Sequence, residues 1–217
     1  MSEGTMRGLA TVAAVVPPAF VALTLALGVA WDGYDPVRDT QSELGAVGSP
    51  VRWAMNLGGF AVLGLGILAF AAAYGKAFAG AAATVAVVLL AAAGVGMVVV
   101  AFLPCDAGCV DVTATGRLHG WFSAPGAIGL PAAAMLTARV VAVDGRLGPR
   151  WPGWSFGIGL ASLASGPVIA ADLLPEAGGA LQRLGMWLAL GWMSAFAWTM
   201  RGLAPRADAT RPRPPAR

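Results

Sequence analysis

Long apolar runs separated by short polar stretches dominate the chain. Six of these runs, at about 8–31, 53–74, 79–103, 119–143, 154–174 and 181–200, reach the roughly 20 residues that an α-helix needs to cross a bilayer at about 1.5 Å per residue. Runs of this length, set apart by polar segments, do not describe one large soluble core. They predict an all-α integral membrane bundle of about six transmembrane helices. The first run is far longer than the ~7–15 apolar residues of a secretory signal, so it reads as a retained helix. Its Pro17-Pro18 pair removes two backbone donors and predicts a bend near mid-bilayer.

The connections differ in kind. Residues 32–52 form a polar loop in which Gly33, Pro36, Gly45, Gly48 and Pro50 prevent any long helix. Gly75-Lys76 is almost the whole link between the second and third runs and forces an antiparallel helical hairpin. Residues 104–118 form a second long polar loop. Residues 144–153 read as a loop, and 175–180 as a tight turn. The membrane domain is expected over 1–203. The stretch 204–217, rich in proline and arginine, reads as a disordered basic cytoplasmic tail. Glycines paired as Gly64-x-Gly66, Gly94-x-Gly96 and Gly157-x-Gly159 are expected to let helix backbones approach closely.

Composition supports the bilayer: 12% of the 217 residues are charged, 58% are hydrophobic and the mean hydropathy is +0.72. Charge then orients the chain. Ten of the 14 Lys and Arg fall on or beside the two termini and the second and fourth connections, and four on or beside the first, third and fifth. The positive-inside rule therefore predicts both termini in the cytoplasm of a multi-pass cell-membrane protein, with two longer loops outside. On that orientation eight of the 11 acids and the single histidine lie on the outer side. The basic tail suits anionic lipid rather than nucleic acid, for which no recognition module accompanies it.

Three outer motifs stand out: Trp31 to Pro50 followed by Asn56, Phe102-Leu-Pro-Cys-Asp106, and Thr115-Gly-Arg-Leu-His119. Together they resemble the uncharacterised prokaryotic membrane family called domain of unknown function 998. The resemblance covers most of the membrane region and implies a compact multi-helix membrane protein, with no reaction, substrate or cofactor attached. Family members commonly carry an Asp shortly after a Phe-Pro pair; here Leu103 intervenes and Cys105 precedes Asp106.

Read as chemistry, Ser42, Asp106 and His119 are the candidate catalytic residues. A histidine that reaches a hydroxyl and is oriented by an acid supports nucleophilic or general-base chemistry. The alternative is that Ser42 caps a short loop helix, Asp106 caps a turn and His119 anchors a helix at the headgroups. Asp39, Glu43, Asn56, Asp172, Gln182 and Arg183 are candidate ligand-binding residues, the last two suited to an anionic headgroup or carboxylate. Cys105 and Cys109 are expected to form a disulfide in an oxidising outer compartment. His119 with Asp106 and Asp32 or Glu43 falls short of the donor set usual for catalytic zinc, so no metal is assigned. No phosphate-cradling loop, haem motif or dinucleotide fingerprint occurs, and no cofactor is assigned.

These observations point first to a polar, acidic outer pocket that binds a lipid-like or small ligand, with membrane lipids as partners. The alternatives are a membrane-embedded hydrolase or transferase acting on a lipid-like substrate, and a small transporter. Mid-span charges are almost absent, which gives an ion-coupled path little support. Pro125, Pro131 and Pro167 are positioned to open backbone groups toward a cavity.

Overall fold

The computed structural model describes residues 2–170 and 173–205. Six long helices occupy the six apolar regions: α1 (Glu3–Val29), α2 (Ala54–Ala77), α3 (Ala81–Val100), α4 (Ala114–Asp144), α5 (Trp151–Ala170) and α6 (Gly178–Met200). Four of them, α1 to α4, are long and apolar enough to cross a membrane by length and hydropathy. Together the six helices form a helical membrane bundle. Of the expected tail at 204–217, residues 206–217 lie outside the described residues.

Local chemistry sets several helix ends. Ser2 caps α1 by accepting from the Thr5 amide at 3.2 Å, and Thr113 caps α4 by accepting from the Gly116 amide at 3.1 Å, each satisfying a donor that the helix itself leaves free. Gly80, at φ 102°, begins α3 after a very short link from α2. That backbone conformation suits glycine because no Cβ opposes it.

Each helix packs chiefly on the two that flank it in the chain, and α6 returns to α1, so the bundle closes as a ring in sequence order. Small residues make the seams possible. A Cβ on Gly64 would lie 2.7 Å from the Gly94 carbonyl oxygen, and one on Gly159 would lie 2.6 Å from the Pro131 carbonyl oxygen. Gly157 lies in open space instead. Between α1 and α6, the proline pair creates its own remedy. Pro18 cannot donate to the Ala14 carbonyl one turn back, and the Ser194 hydroxyl donates to that carbonyl at 2.5 Å. α1 continues unbroken through Pro17 and Pro18.

The two ends of the ring are filled differently. At the end where α1 begins and α6 closes, Phe70, Tyr74, Trp192 and Phe196 are fully buried against one another, with ring centroids 5.4 Å apart for Trp192–Phe196 and 5.7 Å for Phe70–Trp192. Trp151 stands edge-on to Phe196 at 5.0 Å. Basic residues tie the chain together at the same end. Arg7 donates to the Arg201 carbonyl at 3.2 Å, and Arg146 donates to the Ala77 and Ala204 carbonyls while pairing with Asp144. At the opposite end the polar loops 30–53 and 101–113 fold over the bundle and meet where the Val47 amide donates to the Cys105 carbonyl at 2.9 Å.

Candidate functional site

Beneath those loops lies a partly open cavity of about 570 Å³, lined by α2 to α6 and by the short 3₁₀ turn Gln41–Gly45. Its position follows from the chain. The lining residues of α2, α4 and α6 come from the loop-side and middle turns of each helix, those of α3 and α5 from their last turns, and the aromatic layer lies beyond them. The walls are apolar, with Phe60, Ile67, Met97, Ile128 and Leu190 among them.

Helix irregularities concentrate here. The described residues contain two π-helical stretches, Ala54–Ala61 in α2 and Pro125–Gly129 in α4, and both contribute to the lining. Such widened turns arise where a helix gives up regular hydrogen bonding, and they recur at functional sites. Pro131 and Pro167 also line the cavity. Each withholds the N–H that would engage a carbonyl about one turn earlier, at Ala127 and Leu163, which are lining residues themselves.

Six polar side chains reach the lining: Gln41, Ser42, Ser123, Ser162, Ser165 and Gln182. Three are committed to backbone, since Ser123 donates to the His119 carbonyl at 2.7 Å, Ser162 to the Gly185 carbonyl at 2.5 Å and Ser165 to the Ser162 carbonyl at 2.8 Å. Gln41 is buried and fastened to α6. Its backbone N–H donates to Gln182 Oε1 at 2.7 Å, and its side-chain Oε1 accepts from Trp187 Nε1 at 2.9 Å. That leaves the Ser42 hydroxyl and the Gln182 Nε2 group as side-chain donors without a hydrogen-bond partner among the described residues.

The other residues singled out from the sequence hold the loops in place. Thr40 and Glu43 form a capping box on the 3₁₀ turn, in which Glu43 Oε1 accepts from the Thr40 amide at 2.8 Å. Asn56 donates to the Gly45 carbonyl at 3.1 Å and packs so close that Gly45 has no room for a Cβ. Arg183 is buried and donates to the Pro36 and Asp39 carbonyls at 2.5 and 2.8 Å, and to the Tyr34 hydroxyl. These bonds engage both terminal nitrogens of the guanidinium and fasten the first loop to α6. Burial raises the Asp39 pKa, but the Asp35 amide and the Arg38 guanidinium outweigh it, so the group ends below the ordinary carboxylate value. Asp172 lies outside the described residues.

The three candidate catalytic residues receive separate surroundings. Asp106 is turned onto the start of α4, where its carboxylate accepts from the Thr113 amide at 2.8 Å, the Val112 amide at 3.0 Å and the Thr113 hydroxyl at 2.9 Å. The Thr113 amide leads in depressing its pKa. His119 is buried beside Phe60, with its Nδ1 at 2.7 Å from the Leu103 carbonyl. A carbonyl only accepts, so Nδ1 carries the proton there, and Nε2, buried without a partner, is an acceptor when the ring is neutral. No hydrogen bond joins His119 to Asp106 or Ser42 among the described residues. Cys105 and Cys109 form a disulfide with Cα atoms 4.9 Å apart, and Gly108 between them takes a left-handed conformation at φ 69°. The bridge lies beside the Gln41–Gly45 turn, with Cys105 Sγ 3.5 Å from the Ser42 carbonyl oxygen. Among the described residues no group of three His, Cys, Asp or Glu side chains gathers to hold a metal ion.

Sequence reasoning missed Gln41, Tyr34 and the cavity walls. Gln41 sat inside the motif already noted, and its signal was an amide flanked by a capping Thr40 and an apolar Leu44.

The fold and site define a multi-pass-like helical membrane protein with an apolar cavity capped by polar loops. A family model described as protein of unknown function DUF998 matches residues 14–199, and the chain belongs to that family. Comparison with curated proteins and with solved structures found no match.

Proposed function

We propose that the protein binds a lipid-like amphiphile, with its apolar part in the cavity and its polar end under the Gln41–Gly45 turn. The observation that carries this reading is the cavity itself. Its volume of about 570 Å³ falls within the ~300–1,000 Å³ usual for small-ligand pockets. Its walls are apolar, and its uncommitted side-chain donors are confined to the loop end. In this reading all six helices cross the cell membrane, both termini are cytoplasmic and the cavity opens in the outer leaflet. The ten-to-four division of Lys and Arg supports that orientation, as does the gathering of Arg7, Arg146 and Arg201 at the aromatic end.

Hydrolysis or group transfer draws its support from the Ser42 hydroxyl alone. The Asp106 carboxylate accepts three hydrogen bonds at the start of α4, and His119 faces Leu103 through Nδ1. Transport has less support, because the aromatic layer of Phe70, Tyr74, Trp192 and Phe196 separates the cavity from the basic end.

Native mass spectrometry of the protein extracted from its membrane tests the reading. Wild type should retain a lipid-mass adduct. Gly166 lines the cavity, and a Cβ there meets no atom within 4 Å, so Gly166→Phe adds bulk without a backbone clash. The variant should lose the adduct and keep its helical content. Equal adducts on both proteins would reject the cavity as the binding site.

A further inference from the structure

We infer that the cavity selects an amphiphile with an uncharged, hydroxyl-bearing head, of the monoacylglycerol or long-chain alcohol class, over anionic lipids. This inference rests on the lipid-binding reading above and specifies its ligand. No lining residue among those described carries a formal charge. The polar end instead presents neutral groups, the Ser42 hydroxyl and the Gln182 amide, and further along the lining Pro131 and Pro167 withhold a helical donor from the carbonyls of Ala127 and Leu163.

The hydrogen-bonding atoms of the charged residues next in the chain are engaged away from the cavity. Arg183, next in the chain to Gln182, directs its guanidinium to Tyr34, Pro36 and Asp39. Glu43, next to Ser42, is bound into the capping box at Thr40. A phosphate placed under the turn would lose hydration without a cationic side chain among the described lining residues to pair with it. Carbonyl oxygens would repel it as well. A hydroxyl head meets the same groups favourably, because it donates to a carbonyl and accepts from the Ser42 hydroxyl or the Gln182 amide. The neutrality of the lining therefore separates ligands of equal chain length by their heads.

The test uses the full chain in nanodiscs of zwitterionic lipid, with a diazirine-bearing monoacylglycerol as the probe. Labelling should map to peptides containing Ala127 and Leu163. Unlabelled monoacylglycerol should compete on the order of 100-fold better than lysophosphatidic acid of the same acyl chain. Competition by lysophosphatidic acid as strong or stronger, with labelling still in the cavity, would overturn the neutral-head inference and leave lipid binding standing. Labelling absent from those peptides would overturn the binding reading and this inference with it. Ser42→Lys supplies a cation at the loop end and should narrow the preference by at least about tenfold. A folded Ser42→Lys protein with unchanged preference would also overturn the placement of the head.

Discussion

The Asp106 carboxylate is an acceptor for the turn that begins α4. Two backbone amides and one hydroxyl converge on its carboxylate, and they favour the charged form, which lowers its pKa. A depressed folded pKa adds stability that is fully present above the unfolded value of about 3.9 and fades as pH falls through the folded value. Local opening of the 104–113 loop, read by hydrogen exchange of the Val112 and Thr113 amides, should therefore increase as pH falls below about 4. Asp106→Ala should show that faster exchange at neutral pH and little further pH dependence. Unchanged exchange in the variant would remove Asp106 from the cap. The residue types at 42, 106 and 119 were legible as reactive groups, but their partners were not. Which donor reaches Asp106 depends on a chain reversal at 107–112, and Leu103 meets His119 only after α3 and α4 pack.

Among the elements, α1 and α6 depend on each other through the proline pair. Ser194→Ala leaves the Ala14 carbonyl without the hydroxyl that replaces the missing helical donor. The loss should be about 1 kcal/mol, measured as a lower unfolding midpoint in mild detergent. The α2–α3 seam is less forgiving. Gly64→Val places a branched side chain where even a Cβ would stand 2.7 Å from Gly94 oxygen, and it should cost roughly 1–3 kcal/mol or prevent the hairpin from closing. A midpoint unchanged by both substitutions would show that these seams do not limit stability. The helices themselves were legible because a bilayer requires each apolar run to be long and nearly free of charge. The π-helical stretches at Ala54–Ala61 and Pro125–Gly129 were not. Only Pro125 marked one of them, and Asn56, with its hold on Gly45, became informative only once the loop was seen folded onto α2.

At the scale of the whole molecule, a ring of helices in chain order has one end packed by rings and one end left hollow. The aromatic residues of α2 and α6 were visible in the sequence, but a cavity is the space between five helices and has no residue pattern of its own. Its polarity follows from the proposed orientation, which cysteine accessibility tests directly. Single cysteines at Gly48 and Lys76, in a background with Cys105 and Cys109 replaced by serine, should react with a membrane-impermeant reagent from outside only at position 48. The reverse result would move the cavity to the cytoplasmic leaflet. The central claim, that this cavity holds a lipid-like amphiphile, is tested most directly by an experimental density map of the protein purified with its native lipid. The account predicts elongated density between α4, α5 and α6, ending beside Ser42 and Gln182. A collapsed cavity, or one holding only discrete water peaks, would contradict it.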